Sequence, residues 1–227
     1  MNSGRAFLRG DWRFLQLALV IGAWMLFSPL TQHRWMVQAL LQFLLLNTLL
    51  VTLWANPGWR AGRSIVYGIW LASLAGSLLA LAPLPAQWHH LARTAELLAS
   101  LPLLGLLAVG ILLFVFRNRT LTVDGLFATV TVYLIIAIIF AMLYLLLLEW
   151  NPASFNLQVA GMSPQQLQSS LLYFSMITLA TVGYGDILPV SETARTLAVI
   201  EATIGQFYIA VVVAVFVGMY ASQRRDT

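Results

Sequence analysis

Six stretches of this 227-residue chain are apolar over about the length that crosses a bilayer: 14–30, 36–55, 64–82, 95–116, 125–148 and 193–220. A spanning helix needs about 20 such residues. A seventh apolar segment, 164–179, is too short to cross and reads as re-entrant, dipping in between the fifth and sixth spans. Composition leads to the same place. The chain is 60% hydrophobic and 9% charged, whereas a soluble domain carries charge on about a quarter of its residues. The fold class expected is an all-α membrane protein with six transmembrane helices and no internal repeat.

Charge placement tests that count. All twelve basic residues are arginine. With both termini cytoplasmic, nine of them lie inside (Arg5, Arg9, Arg13, Arg60, Arg63, Arg117, Arg119, Arg224 and Arg225) and three outside (Arg34, Arg93 and Arg195). The bias obeys the positive-inside rule and requires an even number of spans. Arg5, Arg9 and Arg13 lead straight into a full-length apolar segment, so no cleavable signal is expected. The net charge of +4 is carried by topology signals, and no nucleic-acid partner is expected. With no cysteine, disulfides and thiolate metal sites are excluded. The eight acidic residues are scattered, with no nucleophile or metal-ligand spacing, so no enzyme is expected.

The chemistry concentrates in Thr178 to Asp186, directly after the re-entrant segment. A dehydrated cation needs rings of oxygen ligands, and a backbone supplies successive rings if every carbonyl points the same way. An ordinary strand alternates its carbonyls, so alternate residues must adopt left-handed dihedrals, which Gly183 and Gly185 tolerate. Val182 and Tyr184 are then free to turn outward, and Thr181 can add a hydroxyl oxygen at the inner end.

Thr181-Val182-Gly183-Tyr184-Gly185 resembles the selectivity filter of tetrameric potassium channels. The resemblance implies a pore domain over residues 124–227, preceded by a four-helix domain like a voltage sensor over 1–123. It implies potassium bound at Thr181, Val182, Gly183 and Tyr184 as the permeant ion, with no other cofactor. One filter strand per chain implies a homotetramer, since four are needed to close each ring. Thr178 and Asp186 are expected to support the filter, Asp186 in the family's usual aspartate position. The fourth span departs from voltage-gated relatives: Leu97 to Phe116 holds no charge. Each elementary charge crossing the field supplies about 2.3 kcal/mol per 100 mV, and steep gating takes roughly three or four per subunit. The expected channel is therefore not strongly voltage-gated.

Within the pore domain, Asp124 is expected to cap the outer helix, and a polar turret follows from Trp150 to Gly161. Ser163, Pro164 and Gln166 form a helix start with a capping box. The pore helix then aims its partially negative C-terminal end at the pore centre. Ser191 and Glu192 start the inner helix. Gly205, near its middle, is open to two readings, a hinge or close packing against the pore helix. Counting at helical spacing, Gln206, Ile209 or Ala210, Val213 and Val217 are expected to face the central cavity. Ile177 replaces a glutamate that some bacterial relatives place behind the filter, while Glu201 is buried in the inner helix. An intramembrane carboxylate is a functional candidate: as a filter support hydrogen-bonded to the pore helix, as a protonated and merely structural group, or as a direct ion site.

Elsewhere, Trp12 and Trp24 read as interfacial anchors, and Gln38, Gln42 and Asn47 as amides that hold helices together. Ala72, Gly76 and Ala80 share one close-packing face. His89 and His90 fall in an external loop, as solvated residues or as a pH sensor. Arg5, Arg9 and Arg13 set topology or, as a basic stripe beside Phe7, Leu8 and Trp12, lie on anionic lipid. The short tail after Tyr220 leaves no room for a nucleotide- or calcium-binding domain, and a bacterial inner-membrane location is expected. Two other classes compete: a non-conducting accessory subunit, and a secondary potassium transporter.

Overall fold

A computed structural model of the chain describes residues 13–27, 42, 46, 63–81, 86–117, 122–157, 159 and 161–225. Every long element among them is helical: α1 (Arg13–Phe27), α2 (Arg63–Leu81), α3 (Ala86–Arg117), α4 (Val123–Trp150), α5 (Pro164–Leu179) and α6 (Glu192–Arg225). One turn of 3-10 helix, Pro152–Ser154, follows α4. Among the described residues, three helices are long and apolar enough to cross a membrane: Leu91–Arg117 of α3, Val123–Trp150 of α4, and Glu192–Ser222 of α6. Shorter apolar helices cover Phe14–Met25 and Tyr67–Leu79. The expected span at 36–55 lies outside the described residues except for Gln42 and Leu46, as do Trp12, Arg5 and Arg9.

Helix α4 is the centre of the molecule, with α1, α3, α5 and α6 all packed against it and α2 packed on α3. Its aliphatic composition is apolar on every face, which suits a helix surrounded by others. Val132, Ile135 and Tyr144 are fully buried along its length. The salt bridge from Arg93 Nε to Glu149 Oε1, 3.2 Å, ties the start of α3 to the end of α4. Between α2 and α3 the backbones come close at Gly76, where a Cβ would stand 3.1 Å from Glu96 Cα. Ala72, expected on the same packing face, is exposed. Beside that contact, Ser73 Oγ and Ser100 Oγ are 2.7 Å apart, and Gln42 Nε2 donates to Ser77 Oγ at 3.0 Å. Gln42 thus joins its segment to α2 as an amide in lipid should.

Two expectations are corrected. Helix α3 begins at Ala86, not near 95, so His89 and His90 lie on a helix and not in a loop. Its first turns are polar, which hides them from a hydropathy reading, but Ala86, Gln87, Leu91, Ala92, Arg93 and Glu96 are good helix formers. Asp124 does not cap α4. Thr122 does, its side chain accepting from Gly125 N at 3.0 Å. Asp124, two residues further in, is free to accept from Phe14 N at 2.8 Å and so satisfies a donor in the first turn of α1.

Helix α6 meets the C-terminal end of α5 at Gly205. A Cβ there would overlap the Leu179 carbonyl oxygen. Close packing therefore accounts for this glycine, and α6 runs unbroken past it. Gly205→Ala should force the two helices apart and destabilise the folded protein by roughly 1–3 kcal/mol, as overpacking does. Gly105→Ala is the control: nothing lies within 4 Å of its Cβ position. Removing that helix-interior glycine should be neutral or stabilising by up to about 1 kcal/mol. Thermal unfolding of both variants in detergent, followed by tryptophan fluorescence, checks the contrast.

Candidate functional site

The site is built around a helix that stops inside the apolar part of the molecule. Helix α5 starts as its sequence predicts. Gln166 N donates to Ser163 Oγ at 3.3 Å, Ser163 N donates to Gln166 Oε1 at 2.7 Å, and Pro164 occupies the first position. Its buried face carries Leu167, Leu171, Phe174 and Ser175. Phe174 sits in an aromatic cage, with Tyr144 and Phe155 ring centroids at 5.2 and 5.3 Å in edge-on arrangements. This geometry adds electrostatic preference to apolar burial and holds the helix by its middle.

The end of α5 is closed by the loop that follows. The carbonyl of Ile177 accepts from Val182 N at 2.8 Å and from Gly183 N at 3.2 Å. Thr181 N donates to Thr178 O at 2.9 Å, and Ala180 N to Met176 O at 3.0 Å. The last carbonyls of a helix lack intrahelical partners; here the loop's own amides take three of them. The backbone then alternates: φ is +56° at Thr181, +54° at Gly183 and +81° at Gly185. Left-handed backbone at the two glycines follows from their lack of a Cβ. At Thr181 it is unexpected, because a β-branched residue resists positive φ. That strain has no signature in the sequence and is held by the two hydrogen bonds that flank it. Val182 and Tyr184 are exposed in the single chain.

The chain leaving the loop is fastened to the turret. Asn156 donates from Nδ2 to Asp186 O at 3.3 Å and accepts on Oδ1 from Leu188 N at 2.6 Å. Asn156 N adds a bond to Leu188 O at 3.1 Å, Phe155 forms an antiparallel bridge with Pro189, and Val190 N donates to Ser154 O at 2.8 Å. Tyr173 of α5 lies near enough to Asp186 to interact with its side chain electrostatically, while Asn156 holds the Asp186 backbone from the turret. Neither Asn156 nor Tyr173 stands out in the sequence, because one asparagine in a polar turret and one tyrosine on an apolar helix are ordinary there.

On the other side of the loop lies the inner helix. Gln206 Nε2 donates to Thr181 Oγ1 at 3.1 Å. The two residues share a cavity of about 480 Å³ with Ala202, Thr203, Phe207 and Ala210. Ala210, not Ile209, therefore lines the space beneath the loop. Val213 and Val217 continue exposed along the helix beyond the cavity. Glu201 is on the opposite face, with no exposed surface. It accepts from Tyr144 Oη at 2.6 Å and contacts Ser175 Oγ. Thus Glu201 stands behind the loop against α4 and α5, away from the cavity. Tyr208 adds a second tie from α6 to α4 through Thr129 O at 2.7 Å. Tyr144 was missed by sequence reasoning; its one signal is a lone hydroxyl in an otherwise aliphatic run.

A family model described as an ion channel matches residues 128–222, which hold α4 from Ala128 onward, α5, the loop and α6 as far as Ser222. A curated relative, Protein LctB of Bacillus caldotenax, is 35% identical over 98 residues, 42% of this chain and 72% of its own length. No solved structure matches the chain significantly. A short helix ending in a loop of alternating backbone sign, fastened between two helices long and apolar enough to cross a membrane, suits the passage of ions, and with these similarities the chain belongs to the ion-channel family.

Proposed function

We propose that the protein is a potassium-selective channel in which four copies of the chain surround one pore. The observation that carries this reading is the alternation of positive φ at Thr181, Gly183 and Gly185. That sequence of dihedrals is what stacked carbonyl rings require, with potassium exchanging its water for the oxygens of Thr181, Val182, Gly183 and Tyr184. One chain supplies one wall of such a path. The state of α6 supports a closed assembly. Only 6% of its most apolar window is buried within the chain, against 61% for α4. A spanning helix left so bare, with the cavity beneath the loop open on one side, is completed by neighbouring copies. Thr181, Gln206 and Ala210 would then line a common vestibule whose lower walls, including Val213 and Val217, are apolar and able to gate by dewetting.

Reconstitution of the purified protein alone in liposomes tests the proposal against an accessory subunit and a transporter. Barium-sensitive potassium flux without a partner or a driving ion is expected. Gly183→Ala places a Cβ where φ is +54°, at a cost of about 1–2 kcal/mol per chain. Flux should vanish or lose its preference for potassium over sodium while membrane insertion persists. Wild-type selectivity in that variant would sink the potassium reading.

Opening should depend only weakly on voltage. Between Leu97 and Phe116, helix α3 carries no charge for the field to move. Arg93 near its start is engaged with Glu149. Single-channel or macroscopic recordings should give a shallow conductance–voltage relation; a slope demanding several gating charges per subunit contradicts this.

A further inference from the structure

The contacts of Glu201 can be counted proton by proton. Ser175 Oγ lies 2.7 Å from the carbonyl oxygen of Ala137 and also contacts Glu201 Oε1. Tyr144 Oη lies 2.6 Å from Glu201 Oε2. These are three oxygen–oxygen contacts, and the two hydroxyls bring two protons between them. The Ala137 carbonyl can only accept, so the Ser175 proton belongs to it. Without a proton there, two oxygens would face each other lone pair to lone pair at 2.7 Å. Ser175 Oγ must then accept from Glu201, and the Tyr144 proton fills the contact at Oε2. The missing third proton is on the carboxyl group.

The surroundings agree. Glu201 has no exposed surface, and among the described residues the groups that bond it or act on it electrostatically are Ser175, Tyr144 and Tyr133. None of these brings a positive charge. A buried carboxylate with no cation beside it carries a large desolvation cost. The neutral acid has a donor and an acceptor placed for the two oxygens it meets.

We propose that Glu201 is a neutral carboxylic acid that keeps its proton and donates it as a hydrogen bond to Ser175, whose own hydroxyl donates to the Ala137 carbonyl, and that this chain locks the inner helix to the pore and outer helices behind the Thr181–Gly185 loop. Ser175 is two residues from Ile177, whose carbonyl holds the start of that loop. The lock therefore positions the conducting backbone without touching an ion. The protonation itself is independent of the potassium reading; only the effect on flux rests on it.

Infrared spectroscopy of the protein in liposomes reads the proton directly. At neutral pH the wild type should show a carboxylic-acid carbonyl band that shifts in D2O and is absent from Glu201→Gln. Tyr144→Phe should move the band to higher frequency, since it removes the bond to the carbonyl oxygen, and it provides the assignment should the glutamine variant fail to assemble. In flux assays, wild-type conduction should fall as alkaline pH strips the proton. Glu201→Gln should conduct with a flat pH profile, its amide donating to Ser175 and accepting from Tyr144. Glu201→Ala, which leaves the Tyr144 hydroxyl without an acceptor and Ser175 Oγ without its donor, should lose flux by about tenfold or more. Absence of the acid band in the wild type at neutral pH overturns the proposal. So does a pH profile in Glu201→Gln that matches the wild type. Loss of selectivity with the band intact would instead count against the potassium reading alone.

Discussion

A helix that ends in the interior of a membrane protein must find partners for its last carbonyls, because hydrocarbon offers none. Everything around the loop follows from how that requirement is met. The chain turns back so that Val182 and Gly183 both donate to Ile177, and Thr181 to Thr178. That tight return is what drives Thr181 to a φ of +56°, a conformation no threonine takes unless its neighbours impose it. Satisfying the helix end and setting the alternating backbone of the loop are therefore one act of folding. The loop could not relax into an extended strand without orphaning the carbonyls of α5.

Keeping the loop in that state depends on what stands behind and before it. Behind it, Gly205 lets α6 approach until helix backbone meets helix backbone, and Glu201 fills the polar gap between Ser175 and Tyr144. Before it, Asn156 holds Asp186 and Leu188. The aromatic cage of Tyr144, Phe155 and Phe174 joins these two sets, since Tyr144 bonds Glu201 while Phe155 bridges to Pro189. Inner and outer supports thus share side chains. A disturbance at the buried carboxyl can reach the turret through two packed rings.

The N-terminal elements bear on the pore through α1 and α3. The Asp124 carboxylate receives Phe14 N, and Thr131 Oγ1 approaches Phe14 O at 3.5 Å, so α1 meets the outer helix near its start. At the far end of α4, Arg93 holds Glu149. Helix α4 is in this way gripped at both ends by elements preceding the family match. Those contacts tie the first part of the chain to the part that matches the ion-channel family, and between Leu97 and Phe116 α3 carries no charge.

Hydropathy alone determined that the protein is helical and membrane-embedded, since long apolar runs have no other use at this length. Periodicity and capping residues set α5 at 164–179, as read, because Ser163, Pro164 and Gln166 act through bonds within one turn. The two glycines announced left-handed backbone for the same local reason. What lay out of reach were interactions between residues far apart in the chain. Asp124 was expected to serve its own helix, but it bonds Phe14, 110 residues away. Tyr144, Ser175 and Glu201 acquire a shared role only when α4, α5 and α6 converge. Thr181 is strained by its neighbours' hydrogen bonds and not by its own preference. Local chemistry is written in sequence spacing; which buried oxygen meets which donor is decided only by how the helices pack.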